Sequence, residues 1–248
     1  MIISCFICCI TTAVILTHSA NANPSTVLHL TGVWPPSLTD SARALLLTAL
    51  LFAGPLFLHL LADSAWRDWI TPSSPTFPPR EVFSSWTSFR NIVAGPVTEE
   101  VLFRGASVPL MLIAQTPLAR TVLLSPVIFG LAHVHHFYEF RLTNPRVPAA
   151  AALLRSVFQF AYTTLFGAYA TFLFVRTGSL LAVCLVHAFC NYMGLPKMWG
   201  KVREGTSTSG LWTLGYYALL VAGTVAWYRN LWALTESKNT LTPVGAFS

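Results

Sequence analysis

Apolar residues run along this chain in stretches of roughly bilayer length, separated by short polar segments rich in proline and charge. Met1 to Leu16 is almost wholly apolar, and Ala20-Asn21-Ala22 behind it has the small-residue pattern of a signal cleavage site. No Lys or Arg precedes the run, which favours a retained membrane helix, while the signal-like reading stays open. Asn23 to Asp40, with Pro24, Pro35 and Pro36, reads as a loop. Ala44 to Ala62 carries no Asp, Glu, Lys or Arg and is long enough to span, with Pro55 as its expected kink. Asp63 to Glu81 collects charges, serines and four prolines, an exposed loop with Trp66 and Trp69 at the interface. Helical character resumes near Val82 and runs towards Ile113, interrupted at Gly95-Pro96. Thr121 to Tyr138, Ser156 to Val175, Ser179 to Met193 and Leu211 to Tyr228 complete the set. Arg155 and Arg176 bracket the second of these, where long side chains snorkel to the interface.

The pattern predicts an all-α fold, a polytopic transmembrane bundle of about seven membrane helices, six to eight by the usual boundary error. It forms one integral-membrane domain over 1–248, with a motif-bearing core at about 82–195. Residues 1–40 are a membrane helix or signal-like segment plus a loop, and 229–248 are a loose tail. Composition narrows the class: 54% of residues are hydrophobic and 10% charged, against about 25% charged in an ordinary soluble domain. A soluble enzyme is excluded, and no room is left for a sizeable soluble domain. The net charge of +6, from 15 Lys and Arg against 9 Asp and Glu, belongs in loops near anionic lipid, and no basic cluster is dense enough for nucleic acid. Cys5, Cys8, Cys9, Cys184 and Cys190 all lie in apolar stretches and read as small hydrophobes. Loop charges leave the orientation open, because acids count little in the positive-inside rule.

A charge within hydrocarbon costs about 2.5–3.5 kcal/mol on insertion scales, so each intramembrane ionisable group is a functional candidate. Glu99-Glu100-Val101-Leu102-Phe103-Arg104 places Glu100 and Arg104 four apart on one helical face, as an ion pair. Glu99 points about 100° away, and a carboxylate in a low-dielectric setting gains proton affinity, as a general base needs. The structural alternative is a helix start, with Thr98 as cap and both acids on the N-terminal dipole. Phe129 to His133 is followed by His135 and His136, and three imidazoles within four residues exceed what helix–helix hydrogen bonding needs. His187 and Asn191 lie four apart on one face, both potential donors to one oxygen. Together these sets hold a base, histidines to position water and a donor pair for an oxyanion, the minimum equipment for hydrolysing an amide. Ser107 and Cys190 lie close by, but nothing in the spacing activates them. The chemical rival is zinc held by His133, His136, His187 and Glu99 or Glu100, although the compact H-E-x-x-H pattern is absent.

The stretch from Arg90 to Arg104, then Phe129 to His133, then His187 to Asn191, resembles the EExxxR, FxxxH and HxxxN motifs of the type II CAAX prenyl proteases, the Ras-converting endopeptidases of the ABI (abortive infectivity) family. The resemblance covers about Arg90 to Asn191, so the flanking segments rest on hydropathy alone. It implies a multi-pass endoplasmic-reticulum membrane protease with its site open to the cytosol, removing the last three residues of prenylated CAAX proteins. It also implies that Glu99 activates the water, His133 orients it, His187 and Asn191 hold the oxyanion, and Glu100 with Arg104 supports the site. No cofactor and no metal follow from it; the expected partners are prenylated CAAX C-termini and the lipid bilayer. Gly95 stands where the family commonly has alanine. The readings to be separated are this glutamate-dependent peptidase, a zinc-dependent membrane hydrolase, a transporter using the same charges, and a silent scaffold.

Overall fold

The computed structural model describes residues 2–62, 65–74, 77–202, 205 and 208–242. In chain order the helices are α1 (Ile2–Ser19), α2 (Pro24–Leu30), α3 (Leu38–Leu51), α4 (Ala53–Phe57), α5 (Trp66–Ile70), α6 (Pro78–Val82) and α7 (Trp86–Phe89). They continue as α8 (Gly95–Glu100), α9 (Ser107–Ile113), α10 (Leu118–Ala132), α11 (His135–Thr143), α12 (Ala149–Thr177), α13 (Leu180–Met193) and α14 (Ser209–Leu234). Wider π-helical turns occur at Leu58–Ala62, Arg90–Ala94 and Val101–Ala106, and no strand occurs among the described residues.

By length and apolarity, Leu118–Thr143, Ala149–Thr177 and Ser209–Leu234 can each cross a membrane, and Leu38–Leu51 with Ala53–Leu61, bent by 82°, has the length and apolarity of a broken span or a re-entrant loop. Ile3–Ser19 and Leu180–Met193 are shorter apolar helices. This is a helical membrane bundle, in which three or, with the bent pair, four of the expected six to eight membrane helices are of full spanning length among the described residues. Large apolar side chains such as Phe6, Leu154, Leu165 and Leu211 stand exposed on it, a surface suited to lipid.

Proline accounts for most of the difference in helix boundaries. A proline ring clashes with the carbonyl four residues earlier. For Pro55 that carbonyl belongs to Leu51, where α3 stops, so the expected kink is a sharp break placed before the proline. For Pro96 and Pro109 the carbonyls are those of Ile92 and Gly105, and each lies in a π turn. Widening the turn is how a membrane helix accommodates such a clash. The helix expected over 82–113 is therefore a series of short helices and π turns. At the other end of the chain, α14 continues to Leu234 instead of giving way to a loose tail at Arg229. Residues 243–248 of that tail, 63–64 and 75–76 of the expected loop, and 203–204 and 206–207 lie outside the described residues.

Two compact units are present. The first holds the described residues of Met1–Pro36, Glu99–Leu180 and Ser237–Ser248, the second those of Ser37–Thr98 and Leu181–Glu236. In the first, Leu16 of α1 is buried with Val27 of α2 and packs against Ile113 of α9. Helices α10 and α12 lie close together there, because Gly167 offers no Cβ to Pro126; an added Cβ would sit 2.9 Å from the Pro126 Cβ. Gly178 ends α12 in the left-handed region (φ 57°), its N–H donating to Phe174 O at 2.8 Å. Beside that end the chain returns, with Leu241 N donating to Val175 O at 2.9 Å and Thr240 Oγ1 to the same oxygen at 3.1 Å. In the second unit α14 packs along α3 and α4. Arg43 ties α3 to the end of α14, donating to Ala233 O and, at 2.8 Å, to Glu236 O.

Candidate active site

Four of the six residues singled out from the sequence, Glu99, Glu100, Arg104 and His133, belong to the first unit; His187 and Asn191 belong to the second. The Thr98 hydroxyl donates backwards to Ala94 O at 2.7 Å and Gly95 O at 3.0 Å. It does not act as an N-cap for the acids, which stand at the end of α8, where it runs into the Val101–Ala106 π turn. The capping alternative therefore fails.

Glu100 and Arg104 are wholly buried and joined by Nη1 to Oε1 at 2.9 Å, the ion pair that the four-residue spacing predicts. Two bare charges in such surroundings would each cost several kcal/mol, and pairing offsets much of it. Arg104 makes further contacts: Nη2 donates to Gly167 O at 3.2 Å, and its Cζ stands 4.7 Å over the Phe129 ring and 6.0 Å from that of Phe166. Glycine at 167 is needed for this as well, since a Cβ there would stand 3.1 Å from Arg104 Nη2. Glu99 is half-buried.

Phe129 connects the ion pair to the imidazole. Its ring lies 4.7 Å from that of His133, edge to face, and 5.1 Å from Phe103. His133 closes α10, its Nδ1 being 2.8 Å from Phe129 O. A carbonyl only accepts, so Nδ1 carries the proton and Nε2 of the neutral ring keeps its lone pair. An imidazole fixed in this tautomer can accept a hydrogen bond from water through Nε2. Ser107, the candidate hydroxyl nucleophile, donates to Phe103 O at 2.6 Å, and Ser125 donates to the same carbonyl at 3.2 Å.

In the second unit His187 is buried on α13, while Asn191, one turn on, is exposed and donates from Nδ2 to Asn91 O at 2.8 Å. Asn91 lies in the Arg90–Ala94 π turn. Ile92 and Tyr192, the neighbours of those two asparagines, line a cavity of about 380 Å³ together with His59, Glu81 and Tyr216. Tyr192 donates to Glu81 Oε2 at 3.3 Å, and its ring stands 6.4 Å from that of His59.

Sequence reasoning placed Phe129 in the FxxxH motif but gave it no role, although its four-residue spacing from His133 is the signal that links them. The carbonyls of Gly167 and Asn91 have no sequence signal, because backbone acceptors do not show in residue type.

Residues 81–193, which include all six positions, match the family described as type II CAAX prenyl endopeptidase Rce1-like. The chain is 36% identical over 233 residues to the probable CAAX prenyl protease 2 of Schizosaccharomyces pombe, covering 94% of this chain and 77% of that protein. It is 37% identical over 189 residues to CAAX prenyl protease 2 of Arabidopsis thaliana, covering 71% of this chain and 60% of that protein. With the Homo sapiens CAAX prenyl protease 2 it shares 40% identity over 173 residues, 68% of this chain and 50% of that protein. The chain thus spans between half and three fifths of the length of the last two. No solved structure matches.

Proposed function

The chain belongs to the Rce1-like family of type II CAAX prenyl endopeptidases, and we propose that it is itself an integral-membrane endopeptidase that removes the last three residues of prenylated CAAX proteins. The carrying observation is the buried Glu100–Arg104 pair with Phe129 packed against both Arg104 and the tautomer-fixed His133, all inside the matched segment. Glu99 takes a proton from water as the water oxygen bonds to the scissile carbonyl carbon. His133 Nε2 accepts a hydrogen bond from the second water hydrogen and sets the angle of attack. The carbonyl oxygen becomes an oxyanion, which His187 and Asn191 stabilise by donating to it. Asn191 exchanges its bond to Asn91 O for that contact. Breakdown cleaves the C–N bond, Glu99 returns the first proton to the leaving amine, and the second passes from the new carboxyl group to that amine or to solvent, giving a prenylcysteine carboxylate and a free tripeptide.

The substrate class suits a membrane site. A prenyl chain is itself a membrane anchor and brings its peptide to the bilayer surface. π-helical backbone at membrane depth is tolerated where it is buried in protein or lines a water-filled cavity, and such turns flank α8 on both sides. The proposed setting is the endoplasmic-reticulum membrane with the site open to the cytosol, because prenylated proteins are cytosolic.

The test is incubation of purified protein in lipid with a farnesylated CAAX peptide and its unprenylated twin, with and without a metal chelator, and mass detection of the tripeptide. Prenyl-dependent release that survives chelation is expected. No cleavage by protein shown to be folded would overturn the assignment, and loss of cleavage on chelation with recovery on zinc would replace glutamate chemistry by a zinc hydrolase.

A further inference from the structure

We propose that His135, His136 and Glu139 form a binding site for a divalent transition-metal ion of the zinc type, separate from the residues assigned to hydrolysis. All three lie on the first turns of α11, where the chain restarts after the break at His133-Val134. Each offers one ligand atom, and these atoms all lie within 4.8 Å of one another. The helix places His135 and Glu139 four apart and His136 and Glu139 three apart, so the carboxylate reaches back to both rings.

The surroundings of the rings fit this use. His135 Nδ1 is 2.7 Å from Ala132 O, so that nitrogen donates and the other keeps its lone pair. Metal-ligating histidines characteristically use their second nitrogen in this way, which fixes tautomer and ring direction before the ion arrives. His136 Nδ1 and Glu139 Oε2 are 2.8 Å apart and share a hydrogen; an ion that takes its place, the proton moving to Nε2 of a neutral ring or to water from a charged one, finds a nitrogen and an oxygen donor already facing one another. The two imidazole rings lie 4.0 Å apart, centroid to centroid. Side-chain exposures of 36% for His136 and 65% for Glu139 leave an open approach and room for water to complete the coordination.

Donor type selects the ion. Two imidazoles and one carboxylate are the ligand set of a three-coordinate protein site with water in the fourth position, which suits Zn²⁺, Co²⁺, Ni²⁺ or Cu²⁺. Mg²⁺ and Ca²⁺ prefer all-oxygen shells. The proposed hydrolysis uses only His133 of the three clustered histidines, so this assignment gives His135 and His136 a chemistry that the reaction leaves unused.

The test reads binding, and so is independent of whether the protein cleaves prenylated peptides. Untagged full-length protein, stripped with chelator and shown to be folded, is titrated with Co²⁺ by visible absorption and with Zn²⁺ by calorimetry. The wild type is expected to bind one equivalent at this site, with His135→Ala, His136→Ala and Glu139→Ala each weakening it at least tenfold. His133→Ala should bind as the wild type does, and excess Mg²⁺ should not displace Co²⁺. Absence of binding, undiminished binding in the His135→Ala, His136→Ala double variant, or loss of binding in His133→Ala would each overturn the proposal.

Discussion

Two sets of motif residues, Glu100 with Arg104 in the first unit and Asn191 in the second, are held in opposite ways. In the first, Glu100 and Arg104 are sealed from solvent and locked by an ion pair, a main-chain carbonyl and two aromatic rings. In the second, Asn191 is exposed and spends its donor on the carbonyl of an equally exposed Asn91. A buried charge pair cannot exchange partners without a desolvation cost, so it fixes geometry. An exposed carboxamide can give up one acceptor for another at little cost, as the oxyanion contact proposed for Asn191 requires. Motif membership alone does not separate these jobs; burial does.

The sharpest way to break this contrast is Arg104→Ala. It leaves Glu100 charged in a buried setting, and a loss of about 3–5 kcal/mol in unfolding free energy is expected by denaturation in detergent. A variant as stable as the wild type would show that the pair does not hold the fold. Asn191→Ala tests the other side, with kcat on the farnesylated peptide falling about 10²–10³-fold and stability changing by no more than about 0.5 kcal/mol. Loss of stability with normal kcat would reverse the roles. Gly167→Ala presses a methyl between Pro126 and the Arg104 guanidinium. An overpacking loss of about 1–3 kcal/mol is expected from its melting curve, with Arg104 displaced. Tyr192→Phe removes the hydroxyl that reaches Glu81 beside the second unit's cavity. Its effect is the smallest, about 0.5–1.5 kcal/mol, visible as a small shift in the denaturation midpoint without loss of kcat.

The sequence made the helical membrane class legible through its uninterrupted apolar runs, and it made the Glu100–Arg104 pair legible because one helical turn sets that contact. Helix boundaries were less so. Pro96 and Pro109 signal disturbance, but whether the chain answers with a kink, a break or a π turn depends on what can accept the displaced carbonyls. At Pro55 the outcome is a break, at the other two a wider turn. The end of α14 was missed because Asn230 and Arg229 look like loop residues, whereas Arg43 on α3 caps the carbonyls of Ala233 and Glu236. Within the site, contacts that join distant stretches of chain were invisible, above all Gly167 O and the Phe129 ring on Arg104.

Glu99 and Glu100 are neighbours in sequence with different surroundings, one half-buried and one sealed, and the proposed reaction gives the water-activating role to the first. The most direct measurement is turnover of the farnesylated CAAX peptide by Glu99→Gln, with a melting curve recorded on the same sample. A fall in kcat of at least about 10²-fold with a wild-type melting temperature is the expected result. Normal turnover by the folded variant would contradict it, and Glu99 would leave the mechanism.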